Sequence, residues 1–225
     1  MRYNGGKNSP GVYQWIINHI PPHTRYIELF AGSGAILRHI RPARSAIAID
    51  LDERSTRYLQ SLSIAGLVVL REEVLSWLKH YTPLPGDFIY ADPPYPRSTR
   101  IDARRMYRYE LGNLDHIALL RCLKDLTVPV AISTYTNPIY TDELGGWRLS
   151  TITTHVRDHS PRTECLYMNY PPPTCLHDYS YLGHDFRERE RIRRKYKRWE
   201  HRLRLLPEME RAMLQTLLTG PYRQT

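Results

Sequence analysis

Four short apolar runs recur along this chain at nearly constant spacing. They start at Tyr26 (YIELF), Ala46 (AIAI), Leu67 (LVVL) and Asp87 (DFIYA), 20 or 21 residues apart, with helix-like segments between them. Parallel strands cannot be joined by a tight turn and need a crossover of about a dozen residues, usually a helix. The rhythm therefore predicts an α/β fold built on a parallel sheet. A leading helix is expected in SPGVYQWIINHIPP, with Ser9 as cap, Pro10 in the first turn, and Val12, Trp15, Ile16 and Ile20 on one face. A further helix over residues 114 to 126 and a strand at 128 to 132 (VPVAI) continue the pattern. Two longer alternating runs, WRLSTITTHV (147 to 156) and TECLYMNY (163 to 170), predict an antiparallel pair that closes the sheet.

After Pro171 to Pro173 the composition changes. Residues 183 to 206 hold ten Lys or Arg against four Asp or Glu, so +6 of the chain's net +9 lies there. Ile192, Tyr196, Trp199, Leu203 and Leu206 alternate four and three apart, a helical stripe. Pro207 can open a second helix carrying Met209, Met213 and Leu217. A catalytic domain at 1 to 178 and a basic helical hairpin at 179 to 225 are expected.

That basic balance favours a polyanionic partner. The three cysteines form no CxxC pair and read as reduced thiols. No run is long enough to span a bilayer, and MRYNGGKNSP lacks the apolar core of a signal segment. A soluble, cytoplasmic protein is expected.

The chemistry-bearing residues fall at strand ends. ELFAGSGAI places Gly32 and Gly34 between the first run and a presumptive helix, where a ligand can approach the backbone closely. The second run ends in Asp50, 18 residues past Gly32, where such sheets bind ribose hydroxyls. An adenosine-type ligand follows from the pair; a P-loop is absent. The fourth run ends in DPPY. Pro93 and Pro94 lack an N–H and stiffen the backbone, so Asp92 and the Pro93 carbonyl form a fixed pair of acceptors. With the ring of Tyr95 beside them, they suit a planar base bearing an exocyclic NH2.

These motifs resemble, in order, those of the Dam-like DNA adenine-N6 methyltransferases, especially short phage or prophage members. Tyr3-Asn4-Gly5-Gly6-Lys7 is similar to the N-terminal aromatic-x-Gly-Gly-Lys motif, Phe30-Ala31-Gly32-Ser33-Gly34 to the FxGxG cofactor motif, and Asp92-Pro93-Pro94-Tyr95 to the DPPY motif. The likeness runs through VAIST and RTECLYMNY, to about residue 173. It implies a Rossmann-like methyltransferase sheet that uses S-adenosyl-L-methionine, with Tyr3, Lys7, Phe30, Gly32, Gly34, Asp50 and Asp92 at the cofactor. It implies a target adenine flipped out of duplex DNA, stacked by Tyr95 and held through its NH2 by Asp92 and Pro93. No metal is implied. His155 and His159 lie on a strand and its turn without a third ligand at metal-like spacing.

The resemblance departs in two places. Where the family has Asp after the third strand, this chain has Glu72 and Glu73. The family's target-recognition insert between the third and fourth strands is replaced by REEVLSWLKHYTPLPG, residues 71 to 86. DNA contact then falls to the segment carrying Arg97, Arg100, Arg104, Arg105 and Arg108, and to the tail with Arg193, Arg194 and Lys197. A short or relaxed recognition site is expected. An RNA adenine methyltransferase and a catalytically silent DNA-binding protein are the alternatives.

Overall fold

The computed structural model describes residue 7 and residues 11–96, 108–155 and 161–219. Strands β1 (Arg25–Leu29), β2 (Ser45–Asp50), β3 (Leu67–Arg71), β4 (Asp87–Ala91) and β5 (Val130–Tyr135) run parallel. Strands β6 (Arg148–His155) and β7 (Pro161–Met168) pair antiparallel, and β7 also pairs antiparallel with β5. The order across the sheet is β3-β2-β1-β4-β5-β7-β6. This is the mostly parallel, Rossmann-like sheet with an antiparallel closing pair that the sequence pattern predicts.

The central strands are apolar on both faces because helices cover both. Successive side chains alternate. Tyr26, Phe88 and Tyr90 pack with Val12 and Ile16 of helix α1 (Val12–Ile17), while Ile27, Ile89 and Ala91 pack on the other face. That second layer comes from α3 (Val74–His80), α4 (Asn113–Lys124) and α5 (Pro138–Glu143). Helix α5 is absent from the sequence reading, although Asn137-Pro138 is a start signal: Asn137 Oδ1 accepts from Tyr140 N and Pro138 sits in the first turn. Helix α1 starts at Val12 behind Gly11; Ser9 and Pro10 lie outside the described residues.

One crossover differs from expectation. Residues 31–40 form consecutive turns and not an α-helix. The chain still buries Ile36, Leu37 and Ile40, so packing satisfies this segment without a regular helix. Helix α2 (Glu53–Ser61) follows β2, capped by Asp52.

At the amino ends of the strands, Arg25 and Asp87 are register partners on β1 and β4. Arg25 donates to both Asp87 oxygens, from Nε at 2.7 Å and Nη2 at 2.5 Å. Tyr81 Oη and Leu84 N also donate to Asp87, at 2.5 and 2.9 Å.

The chain divides into two compact units, Met1–Tyr181 and Leu182–Thr225. This division lies three residues past the expected boundary at 178, and residues on either side of that expected boundary are bonded to the sheet unit. Asp178 Oδ2 accepts from Arg41 N, and the Tyr181 carbonyl accepts from Asn18 Nδ2. The second unit consists of α6 (Phe186–Leu205) and α7 (Glu208–Thr219). Its apolar stripe is present, but no residue of α6 is buried; Tyr196 and Trp199 are exposed. Arg193, Arg194 and Lys197 are exposed on α6.

Candidate active site

Strand order reverses between β1 and β4: the chain leaves β1 toward β2 on one side and returns to β4 on the other. A crevice opens at the carboxyl ends of strands at such a point. Here it is a cavity of about 740 Å³ with Phe30, Gly32, Asp50 and Asp92 in its walls. That volume is in the range of small-molecule sites.

The loop after β1 turns through left-handed conformations at Phe30, Gly32 and Gly34, with φ of 57°, 53° and 62°. Glycine adopts these without cost, whereas Phe30 does so against a Cβ clash. A side chain at Gly34 would also meet Leu59 Cδ2 at 2.7 Å. Asp50 holds the loop: Oδ2 accepts from Gly32 N at 2.7 Å and Oδ1 from Asp52 N at 2.7 Å. Burial raises the Asp50 carboxyl above its ordinary pKa, and these two backbone donors oppose the rise.

Glu28, absent from the sequence reading, is a second cavity acid. Its Oε2 accepts from Tyr26 Oη and from Leu37 N, each at 2.9 Å. Burial pushes its pKa up to about 8, so at neutral pH the carboxyl is largely protonated. An alternating strand hides such a residue, because Glu28 occupies an otherwise apolar face.

Asp92 follows β4, its N–H bonded to the Leu29 carbonyl at 3.3 Å. Its Oδ1 accepts from Lys7 Nζ at 2.6 Å and from Ser133 Oγ at 2.9 Å. Its Oδ2 takes no hydrogen bond from the described residues. Pro93 and Pro94 line the cavity beside it. One oxygen of Asp92 is thus pinned, the other takes no hydrogen bond from the described residues, and the residue itself lines the cavity.

Tyr95 differs from expectation. Its side chain is turned inward and the residue is only 4% exposed. Its hydroxyl donates to Glu164 Oε2 at 2.7 Å and accepts from Lys7 Nζ. Lys7 lies 4.5 Å from its ring centroid, and Tyr135 packs edge-on at 4.5 Å. The ring therefore offers no open face for stacking in this structure. The hydroxyl's two charged partners, Glu164 and Lys7, outweigh exposure of an aromatic ring.

Lys7 is brought to Asp92 and not merely to the border of the cavity. Arg108, read as a phosphate contact, sits at the cavity and donates to Asp52 Oδ1 at 3.3 Å. Glu73 lines the cavity, but its carboxylate caps α3 by accepting from Leu75 N and Ser76 N. Tyr3, Arg97, Arg100, Arg104, Arg105 and His159 lie outside the described residues.

The cavity suits a polar ligand rich in hydrogen-bonding groups. Glu28 and Asp50 are buried acids in its walls, and Ser33 Oγ is buried without a hydrogen-bond partner among the described residues. Buried polar atoms are rarely left so. S-adenosyl-L-methionine, with a ribose, an ammonium and a sulfonium, fits this donor and acceptor set. Asp50 would accept from the ribose hydroxyls, and Glu28, largely protonated, would line the cavity as a neutral polar group.

Residues 3–81 match the model of the D12 class N6 adenine-specific DNA methyltransferases. A curated relative, ribosomal RNA small subunit methyltransferase D of Buchnera aphidicola, is 28% identical over 90 residues. That match covers 37% of this chain and 47% of the relative, so the chain spans about half the relative's length. Among solved structures, 23S rRNA methyltransferase ErmE superposes with a TM-score of 0.51 at 11% identity, over 78% of this chain and 74% of that one. The putative methyltransferase yhhF of Escherichia coli gives 0.45 at 19% identity, over 75% and 97%. At these identities the likeness to ErmE concerns the fold.

Proposed function

We propose, from a Rossmann-like methyltransferase fold whose residues 3–81 match the D12 class N6 adenine-specific DNA methyltransferases, that this protein methylates adenine N6 in DNA. The observation that carries this reading is Asp92 in the cavity lining, with Oδ1 held by Lys7 and Ser133 and Oδ2 without a donor among the described residues, followed by two prolines. S-adenosyl-L-methionine supplies an electrophilic methyl group on a sulfonium. Asp92 Oδ2 and the Pro93 carbonyl accept hydrogen bonds from the amine of a flipped adenine. Acceptors on the N–H bonds hold the nitrogen lone pair out of the ring and aim it at the methyl. The N–CH3 bond forms as the S–CH3 bond breaks, with the thioether S-adenosyl-L-homocysteine as leaving group and the amine's surplus proton passing to solvent by way of Asp92. Because Asp92 is already fixed by two donors, no reorganisation is needed at the moment of transfer.

Ribosomal RNA is the second reading, favoured by the curated relative of that substrate class. The experiment that separates them offers labelled S-adenosyl-L-methionine with duplex DNA and with ribosomal RNA, followed by nucleoside analysis. N6-methyladenine in DNA is expected. Label in RNA alone would establish the second reading, and label in neither would overturn both. Between β3 and β4 the chain holds α3 and no inserted unit, so few elements can reach base edges there. Sequencing the methylated DNA is expected to show a short or degenerate site.

Asp50→Ala is expected to raise KM for the cofactor by about 10- to 100-fold, the value of a charge-assisted hydrogen bond. Its contact to the ribose is the same in ground and transition states, so kcat should change far less. Initial rates at varied cofactor check this. A collapse of kcat at unchanged cofactor affinity would assign Asp50 another role.

A further inference from the structure

Glu164 lies on β7, opposite Tyr135 of β5, and buries all but 6% of its surface. Nothing in the motif pattern singles it out. Yet its Oε2 accepts from Tyr95 Oη at 2.7 Å, and its Oε1 lies 3.7 Å from Lys7 Nζ. Lys7 in turn bonds both Tyr95 Oη and Asp92 Oδ1. A continuous hydrogen-bonded chain therefore runs from the buried Glu164 through Tyr95 and Lys7 to the residue placed at the reacting amine.

The charges make this chain consequential. One ammonium, its side chain 2% exposed, stands between two carboxylates. A buried ammonium gathers onto whatever anion is nearest. With both carboxylates present, Lys7 is divided between them. Without Glu164, Asp92 is the carboxylate that remains beside it among the described residues, and Tyr95 loses the acceptor that holds its hydroxyl inward.

We propose that Glu164 is a positioning residue for the transfer step, sharing Lys7 with Asp92 and anchoring Tyr95 so that Asp92 keeps its geometry and its acceptor strength. The proposal rests on the methyl-transfer reading above. Among the described residues, the titratable groups near Glu164 are Lys7 from the N-terminal segment, Tyr90 of β4, Asp92 and Tyr95 from the loop after it, Tyr135 of β5 and Cys165 of β7. Burial lifts the Glu164 carboxyl above the usual glutamate range, with Lys7 opposing.

The test compares Glu164→Gln with wild type in single-turnover methylation at saturating cofactor across pH 5 to 8, with cofactor affinity by calorimetry. The variant is expected to bind cofactor as wild type does and to transfer methyl about tenfold more slowly at pH 8, the value of one charge-assisted bond. In wild type the rate should fall on acidification as Glu164 takes a proton. In the variant that limb should vanish, leaving any fall at lower pH. Tyr95→Phe removes the hydroxyl through which Glu164 acts, and the two losses should be strongly non-additive in the double variant. An unchanged rate and pH profile, or additive losses, would overturn the proposal. If Glu164→Gln does not fold, an unchanged rate in Tyr95→Phe overturns it. Wild-type protein that binds cofactor but methylates neither DNA nor RNA sinks the underlying reading, and this proposal falls with it.

Discussion

Asp92→Ala is expected to reduce methyl transfer at saturating cofactor by about 10³-fold or more, the scale of losing a preorganised electrostatic group at a reacting centre. The loss should lie in kcat, because the hydrogen bonds from the amine strengthen as its nitrogen develops positive charge. The fold should survive. Lys7 keeps Tyr95 and Glu164 as partners, and Ser133 keeps Tyr90, whose Oη lies 2.8 Å from its Oγ. Asp92→Asn preserves the shape of the side chain while removing its charge, and is expected to be nearly as inactive. An amide that turns its NH2 toward Lys7 or the substrate amine meets donor with donor. Labelled-methyl transfer in single turnover, with circular dichroism on the same samples, checks both variants. Near-normal turnover in Asp92→Ala would refute the acceptor role.

The second large effect is on stability, at the opposite end of β4. Asp87→Ala should destabilise the sheet unit by about 2–4 kcal/mol, because it removes the buried carboxylate of a part-buried ion pair and leaves its donors without an acceptor. Asp87 is 3% exposed and receives four hydrogen bonds, two of them the bidentate pair from Arg25. Its removal strands the Arg25 guanidinium, the Tyr81 hydroxyl and Leu84 N together. For a unit of this size the thermal midpoint should drop by roughly 10 °C. The pH dependence has a definite sign. Burial alone would raise the Asp87 carboxyl, but the donors from Arg25, Tyr81 and Leu84 outweigh it and hold its pKa below the ordinary value. A carboxyl lowered in the folded state stabilises above its unfolded pKa of about 3.9 and stops doing so as pH falls through the folded value. Urea midpoints of wild type and Asp87→Ala should therefore differ most near neutrality and converge below about pH 4. A constant gap would mean that Asp87 acts through packing and not through charge.

Much of the site is legible in the linear chain because its signals are local. A strand that ends in Gly-x-Gly, another that ends in Asp50 and a third that ends in Asp92-Pro93-Pro94 each declare themselves within a few residues. Their spacing of about 20 residues implies parallel strands, and parallel strands put all three ends on one edge of the sheet. What lay beyond local pattern is what depends on pairing across long separations. Glu164 meets Tyr95 only because β7, and not β6, packs against β5. Either arrangement of an antiparallel pair has the same alternation, and the choice rests on which apolar face the core can bury. Glu28 is hidden for a related reason: polarity in a strand reads as a face turned to water, whereas this residue is sealed inward. Residues 31–40 show the converse, an apolar spacing that suggests a helix and a chain that buries those side chains through turns.

By itself, the sequence determined the strand rhythm, the mostly parallel sheet and the three strand ends that line the cavity, since steric and hydrogen-bonding preferences of neighbouring residues suffice for these. Only the tertiary structure decided that Lys7 bonds Asp92, that Tyr95 turns inward, and that Glu164 ties them together. Those contacts join residues 69 to 157 positions apart, and a buried charge selects its partners by the free energy of the whole packed interior, not by its neighbours in the chain.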